Sequence, residues 1–287
     1  MHLGMKKKQQ IAHVFTHIFL IFFAFLMLFP IIYAFFGSFK SNSELLVEPG
    51  RLLPKVWNFN NYIDAWKSEY FPVPRLLLNS LLYTAASVTI TLVISSVEGY
   101  VFERGEFRGK NLIFSIFLST MFITMGGVSI YATFKIYGFL NVPVSLWSLV
   151  VLKIFSMPIY NVFLIRNNIR SLPKELDESA KIDGCGFMNI FFRITLPLIK
   201  PMLVTLVILS FQSSWNEYIM PTIFTTTNPK QRTLMVGLMQ LKSSGESASN
   251  WSLMLAGSVI ALIPVIILFI FANKQFVKGM MDGALKG

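Results

Sequence analysis

Six long apolar runs dominate this sequence, and they restrict the chain to a fold that can lie in a lipid bilayer. A helix needs about 20 apolar residues to cross the hydrocarbon core. Only 14% of the residues are charged and 54% are hydrophobic, whereas a soluble domain carries about 25% charged residues. The sequence therefore predicts an all-α, polytopic membrane protein with six transmembrane helices. The expected spans are 14–36, 81–102, 112–135, 146–165, 202–224 and 253–272.

Lysine and arginine are distributed unevenly between the segments that connect these runs. One set of alternate segments holds fifteen of them and the other set holds eight. Loops rich in Lys and Arg stay on the cytoplasmic side, so the richer set and both chain termini are expected there. This rule also accounts for the formal net charge of +11 without a nucleic-acid partner. The richer segments are 1–13, 103–110, 166–200 and 273–287, and the poorer ones are 37–80 and 225–252.

Cysteine and histidine are too few for a redox or metal centre. Cys185 is the only cysteine, so an intrachain disulfide cannot form. The three histidines all lie near the N-terminus, at His2, His13 and His17. We therefore expect no metal ion or cofactor bound by this chain.

The stretch KELDESAKIDGCGFMNIFFRITLPLIKP (174–201) is unusual because its first half is densely charged between two apolar runs. Ser171 can cap a helix that follows it. Three acidic side chains fall in the early turns, where the helix dipole favours anions, and Gly184 and Gly186 can end the helix. The sequence predicts a short helix, a glycine turn and a second helical piece. The acidic residues are Glu175, Asp177 and Glu178.

The second helical piece carries an apolar stripe, and Pro197 and Pro201 are expected to mark the bend into the fifth span. Two interpretations stay open on these grounds. The segment is either a linker that lies on the membrane surface or a rigid docking element for a cytoplasmic partner. The stripe consists of Phe187, Ile190, Phe191, Ile194 and Leu198.

This segment resembles the EAA loop of permease subunits in ATP-binding-cassette importers, and we refer to residues 171–201 as the EAA-like segment. The family pattern reads Glu-Ala-Ala, then Asp-Gly, then a hydrophobic stretch that ends in Ile-x-Leu-Pro-Leu. Ser179 replaces the first alanine, which is a small departure. The matching positions are Glu178, Ser179, Ala180, Asp183, Gly184, Ile194, Leu196 and Pro197.

Further motifs resemble carbohydrate permeases of the maltose-transporter type, in particular the smaller of the two permease subunits. They extend over nearly the whole chain. The stretch 97–102 departs from the Ala-Tyr-Ala-type run that is frequent in relatives. The matching motifs are Asn61-Tyr62, Asn79-Ser80, Arg104 with Phe107-Arg108-Gly109, Trp215 to Tyr218 with Pro221, and Phe276 to Gly279 with Gly283 to Gly287.

The resemblance implies a type I importer permease in the bacterial cell membrane that carries a carbohydrate, most simply an oligosaccharide. Its expected partners are a second homologous permease, a cytoplasmic ATPase dimer and an extracytoplasmic solute-binding protein. The helix around Glu178 would enter a cleft on the ATPase. This sequence has no G-x-x-x-x-G-K-[ST] loop, so ATP and Mg²⁺ would be bound by the partner ATPase, and we expect no catalytic residue here. The resemblance divides the chain into an N-terminus (1–13), a permease domain (14–273) and a tail (274–287).

Polar groups at membrane depth are costly and usually face a cavity or another helix. Asn216 and Glu217 lie about 22 Å beyond Pro201 along a helix, beside Trp215 and Tyr218. Such groups could bind a sugar through hydrogen bonds and ring stacking, or they could brace the helices. Further candidates for the substrate path are Gln212, Tyr131, Asn161 and Ser213.

Two other charged residues fall inside the expected spans. Lys153 is isolated in the fourth run and could face the second permease or an anionic substrate. Glu98 is expected to extend towards the membrane surface or to pair with an arginine.

Three other functions remain as alternatives. An ion-coupled secondary transporter would use the intramembrane carboxylates of Glu98 and Glu217. A membrane transferase would need a second acidic cluster beyond Asp183-Gly184. A structural scaffold would leave the EAA-like segment unexplained.

Overall fold

The computed structural model describes residues 2–123, 126–243 and 251–284, with side chains described for 13–123, 126–242 and 251–272. All regular secondary structure of these residues is helical. The predicted tail motif therefore lies outside the described side chains. The helices are α1 (His2–Gly37), α2 (Asn42–Val47), α3 (Asn60–Lys67), α4 (Val73–Arg104), α5 (Lys110–Ser119), α6 (Gly126–Phe139), α7 (Leu146–Ile154), α8 (Ile159–Arg170), α9 (Glu175–Ile182), α10 (Phe187–Ile190), α11 (Leu196–Leu198), α12 (Lys200–Trp215), α13 (Ile219–Phe224), α14 (Leu234–Ser243) and α15 (Trp251–Ala284).

Four helical stretches of the described chain are long and apolar enough to cross a membrane, and the number rises to six if each of two bent helix pairs counts as one span. This agrees with the predicted helical, polytopic class. The four stretches are His13–Gly37, Val73–Arg104, Leu146–Arg170 and Trp251–Ala272, and the bent pairs are Lys110–Phe122 with Gly126–Phe139 and Phe187–Leu198 with Lys200–Trp215.

The expected spans are less regular than their apolar composition suggests. The fourth run contains two helices, because α7 ends at Ile154 and α8 begins at Ile159. The intervening residues include Pro158, which cannot donate a backbone hydrogen bond. The fifth run is also interrupted, between Trp215 at the end of α12 and Ile219 at the start of α13.

The chain divides into two compact units, of which the first comprises residues 1–73 and 240–262. Its segment after α1 is folded. The Asn61 side-chain amide donates to the carbonyls of Ser38 at 2.7 Å and of Lys40 at 2.8 Å. The Tyr62 hydroxyl lies 2.6 Å from Ser38 Oγ, and Phe39 packs against the ring of Trp57. The Asn-Tyr motif thus fixes the turn that follows α1.

The second unit comprises residues 74–239 and 263–287, and two motif residues of α4 organise its loop after α13. The side-chain amide of Asn79 donates to the carbonyls of Lys230 and Arg232, both at 2.9 Å. Ser80 Oγ accepts a hydrogen bond from the Leu234 amide at 2.7 Å. The described part of the 225–252 segment is therefore folded against α4, whereas residues 244–250 lie outside the described part.

The EAA-like segment, which lies in the second unit, folds as a helix, a turn and a second helix. Gly184 has φ +81°, a left-handed conformation that glycine adopts without a steric penalty. Its amide donates to the Lys181 carbonyl at 3.0 Å, and the Cys185 amide donates to the Ala180 carbonyl at 2.9 Å. These bonds satisfy carbonyls at the end of α9. The predicted glycine stop is therefore present at Gly184.

The second half of the segment is a continuous helix that bends into α12. Between α10 and α11, residues Phe191–Thr195 form a π-helical stretch, an irregularity that is frequent at functional sites. The helix Phe187–Leu198 meets α12 at an angle of 77°. The prolines at 197 and 201 flank this bend, as predicted.

The predicted helix cap at Ser171 is wrong. Ser171 follows the last residue of α8, and its hydroxyl donates to the Asn168 carbonyl at 2.8 Å. The residue that precedes α9 is Lys174. Ser171 is too far from α9 to accept a hydrogen bond from its first amides, because a capping side chain reaches only two or three residues along the chain.

Candidate functional site

A buried ion pair joins the first turn of α9 to the last residue of α4. Arg104 Nε lies 2.6 Å from Asp177 Oδ2, and the two side chains are 8% and 14% exposed. The same guanidinium donates to the carbonyls of Ile169 at 3.3 Å and Leu172 at 2.9 Å. A buried pair needs such additional hydrogen bonds to offset the loss of solvation. Arg104 therefore connects α4, the end of α8 and α9.

Tyr100, one turn earlier on α4, holds the second half of the EAA-like segment. Its hydroxyl donates to the Phe187 carbonyl at 3.1 Å. Its buried ring lies 4.5 Å from the Phe187 ring and 5.0 Å from the Phe191 ring, between centroids. Tyr100 and Arg104 thus fix the two sides of the glycine turn to one helix.

A second ion pair reinforces the end of α4. Arg166 Nε of α8 lies 3.1 Å from Glu103 Oε2, and the guanidinium sits 4.1 Å from the centroid of the Phe114 ring. Lys110 Nζ donates to the Glu103 carbonyl at 3.3 Å and to the Gly105 carbonyl at 2.8 Å. The ends of α4, α5 and α8 are therefore connected to one another by charged groups.

The residues that resemble the EAA motif fall into an inward and an outward group. Ala180 is buried, whereas Ile194 and Leu196 are half-buried. Ile182, which is 86% exposed, adds a large apolar group to the outward surface of α9. The exposed motif residues are Glu178, Ser179, Asp183, Gly184 and Pro197.

A different cluster surrounds Glu217, which lies in the break between α12 and α13. The Tyr83 hydroxyl donates to Glu217 Oε2 at 2.8 Å. Lys153 Nζ lies 3.6 Å from the same oxygen and 5.9 Å from the centroid of the Tyr83 ring. Lys153, isolated in the sequence, therefore has a counter-ion, and Glu217 braces α4 and α7 against this break.

Trp215 and Asn161 occupy interior positions. Trp215 is 3% exposed, and its ring stacks on Phe211 with centroids 5.5 Å apart. Asn161 is buried, and its amide nitrogen donates to Ser210 Oγ at 3.0 Å. Both residues take part in packing between or along helices. This is the bracing arrangement that the sequence left open beside direct contact with a sugar.

The remaining candidates for the substrate path are exposed and do not form a single cluster. The backbone amide of Asn216 donates to the Gln212 backbone carbonyl at 3.2 Å, at the end of α12. Tyr218 follows in the break before α13. Tyr131 lies on α6, where Lys135 Nζ is 5.6 Å from its ring centroid. The structure therefore places Tyr131 on α6, whereas Gln212, Asn216 and Tyr218 lie on α12 or in the break that follows it.

A polar groove of about 410 Å³ does bring several candidates together. Asn161, Lys153 and Ser213 line it with seven further residues from α4, α8, α12 and the α7–α8 break. The sequence analysis missed Ser210 and Ser214 in its wall. The signal was present, because residues three and four apart share a helix face. Ser210, Ser213 and Ser214 follow this spacing.

Glu98 is not paired with an arginine, contrary to one of the two expectations for it. Its Oε2 atom is buried and has no hydrogen-bond partner among the described residues. The next residue, Gly99, packs closely against α8. A Cβ on the neighbouring Gly99 would lie 2.6 Å from Ile165 Cγ2 of α8.

Comparison with a known structure supports the fold. The chain is similar to one in a crystal structure of a bacterial ABC transporter involved in the import of the acidic polysaccharide alginate, with a TM-score of 0.76. The match covers 93% of this chain and 97% of that chain at 24% sequence identity. The predicted importer permease fold is thereby confirmed.

Comparison with sequences shows the family. Over 98% of its length, the chain is 33% identical to the probable ABC transporter permease protein YurM of Bacillus subtilis, covering 91% of that protein. It is 35% identical to the arabinooligosaccharides transport system permease protein AraQ of the same organism, over 94% of each chain. The family model of the binding-protein-dependent transport system inner membrane component matches residues 3–282. The chain therefore belongs to this family of multi-pass membrane permeases.

Proposed function

We propose that this chain is the permease subunit of an ATP-driven importer of carbohydrates, most simply oligosaccharides, in a bacterial cell membrane. Family membership supports the permease role, and the similarity to a permease named for arabinooligosaccharides supports the substrate class. The complex would contain a second homologous permease, a cytoplasmic ATPase dimer and a solute-binding protein. ATP and Mg²⁺ would be bound by the ATPase, and this chain would form half of the translocation path.

In this proposal, the EAA-like segment is the contact with the ATPase. The observation that carries the proposal is that one side of α9 is held against the protein while the other side is exposed. The buried Arg104–Asp177 pair holds its inner side, while Glu178 and Ile182 stand exposed on the segment. A helix that is fixed to the transmembrane region can transmit a displacement, whereas a flexible loop would absorb it.

The mechanism follows from the connections of α4. Closure of the ATPase dimer around ATP would displace α9 and the turn at Gly184. Arg104 and Tyr100 would pass that displacement to α4, because they contact both halves of the segment. Movement of α4 and its neighbours would then change access to the substrate path from inward to outward.

The docking role is tested by Glu178→Lys, which reverses the charge of an exposed side chain. We expect uptake, and the ATPase activity stimulated by loaded binding protein, to fall more than tenfold, while the amount of the chain in the membrane stays unchanged. The matched control is Asp64→Lys on α3, an equal charge reversal at an exposed position of a segment expected on the opposite side. Unchanged uptake in Glu178→Lys would count against the docking role.

One observation favours the alternative of an ion-coupled transporter, namely the buried and unpaired Glu98 Oε2. The carboxylate of Glu217, in contrast, already has Lys153 as its counter-ion. Reconstitution separates the two functions. Uptake driven by an ion gradient in vesicles that hold this chain alone would favour the alternative, whereas uptake that requires the ATPase and ATP supports the importer.

A further inference from the structure

The polar groove lies beside a break in a candidate membrane span. The span Leu146–Arg170 contains the non-helical residues 155–158, and Ser156 and Pro158 of this break line the groove. Non-helical backbone at membrane depth is tolerated where protein buries it or where it borders a water-filled cavity. The location therefore indicates a hydrated groove rather than a surface in contact with lipid.

The lining of the groove is suited to hydroxyl groups. Eight of its ten lining residues carry a hydroxyl, amide or amine group. The hydrogen bond from Asn161 to Ser210 Oγ fixes the orientation of the amide. Hydroxyl side chains can both donate and accept hydrogen bonds, as sugar hydroxyls do. The volume of about 410 Å³ falls within the range of about 300–1,000 Å³ that is common for small-molecule sites.

The charge of the groove is balanced. Among the described lining residues, Lys153 alone carries a charge. Glu217 Oε2 lies 3.6 Å from its ammonium group, and Tyr83 orients that carboxylate through a hydrogen bond of 2.8 Å. The ammonium and carboxylate charges cancel at distances larger than their separation. A sugar in the groove would therefore meet polar groups without a net positive charge.

We propose that this groove is a subsite for an uncharged sugar unit, and that Glu217 sets this preference by neutralising Lys153. The identity of the ligand rests on the function proposed above, whereas the charge balance rests on the contacts alone. A uronate would gain no net attraction here, and its carboxylate would lose solvation on entry. Glu217 acts through Lys153 and is thus a specificity-determining residue that need not touch the sugar.

Cysteine labelling tests the proposal without relying on the specificity of the binding protein. Cys185 is the only cysteine of the chain, so Cys185→Ser provides a background for Ser213→Cys in the groove. Neutral and anionic methanethiosulfonate reagents are applied to the assembled complex, and modification of this chain is measured by mass. We expect both reagents to modify Ser213→Cys. Their labelling rates should be similar once each is divided by the rate of the same reagent with a free thiol in solution.

The variant Glu217→Gln removes the negative charge beside Lys153, and Tyr83→Phe is its control. Removing the carboxylate leaves the positive charge of Lys153 without a counter-ion. The labelling rate of the anionic reagent should then rise about tenfold relative to that of the neutral reagent. This is the order of magnitude given by the attraction of one charge about 10 Å from the reagent at an effective dielectric constant of about 20. Tyr83→Phe removes the hydrogen bond to Glu217 but no charge, so the ratio should stay within about twofold. Absence of labelling, or an unchanged ratio in Glu217→Gln, would overturn the proposal.

Protection by sugar tests the ligand. During ATP-driven turnover, a neutral galactan or arabinan tetrasaccharide should slow labelling of Ser213→Cys more than a galacturonate tetrasaccharide does. Uptake of the same probes is measured in parallel. Intact uptake of a neutral probe without protection would overturn the subsite and leave the proposed function standing. Absence of uptake for every carbohydrate would refute the proposed function, whereas the labelling ratios would still test the charge balance.

Discussion

The contact between Arg104 and Asp177 allows the rigidity of the EAA-like segment to be tested through Asp177→Asn. Removing one partner of a buried ion pair costs about 3–5 kcal/mol. The asparagine can still accept a neutral hydrogen bond of about 1 kcal/mol, and Arg104 keeps its two backbone acceptors. We therefore expect α9 to be held less tightly by about 2–3 kcal/mol, which corresponds to roughly 30- to 140-fold in the equilibrium between held and released helix.

The native cysteine provides the assay. Cys185 directly follows the glycine turn, so a spin label on this residue reports the mobility of the segment by electron paramagnetic resonance. Asp177→Asn should enlarge the mobile population and lower uptake, while membrane insertion is retained. The control is Glu175→Gln, which removes an equal charge from α9 at an exposed position with no ion pair among the described residues.

Three results would contradict the reasoning on Asp177. Wild-type mobility with reduced uptake would mean that the carboxylate acts on a partner subunit and does not hold α9. Wild-type behaviour in both measurements would mean that the ion pair contributes nothing to transmission. An equal effect of Glu175→Gln would attribute the change to the charge of the helix as a whole.

Two glycine substitutions test the packing and the turn. Gly99→Ala places a Cβ 2.6 Å from Ile165 Cγ2 and should destabilise the α4–α8 contact by about 1–3 kcal/mol. We expect a lower melting temperature of the purified complex. The control Gly138→Ala places a Cβ with nothing within 4 Å and should leave the melting temperature unchanged. Gly184→Ala forces a side chain into the left-handed conformation at a cost of about 1–2 kcal/mol and should lower coupled ATPase activity more than Gly186→Ala, whose φ is −73°. Equal effects within either pair would contradict the explanation.

Local signals in the sequence were sufficient for the helices and for the turn. The apolar runs predicted where helices lie because their length alone matches a bilayer. Gly184 predicted the end of α9 because few other residues accept its φ of +81°. The capping role of Ser171 failed because a serine marks either the end of one helix or the start of another, and only the distance to α9 decides.

The ion pairs and the exact residues of the interruptions were beyond what the sequence could show. The breaks at 155–158 and after Trp215 lie within apolar runs, so a hydropathy window does not detect them. Lys153 was interpreted as isolated because its counter-ion Glu217 lies far along the chain, in the break between α12 and α13. Such pairs depend on which helix faces pack together, and several packings are compatible with the same apolar pattern.

Both candidate regions depend on α4, which connects them through one continuous helix. Tyr83 holds Glu217 near one end, and Arg104 holds Asp177 at the other. At 1.5 Å per residue these positions are about 30 Å apart, which is the thickness of the hydrocarbon core. The structure shows α4 as one continuous helix from Val73 to Arg104, so it can transmit a displacement at Arg104 along its length. A rigid α4 would therefore move the hydroxyl of Tyr83 relative to Glu217 whenever α9 is displaced, and this links the state of the EAA-like segment to the hydrogen bond that orients Glu217 beside Lys153.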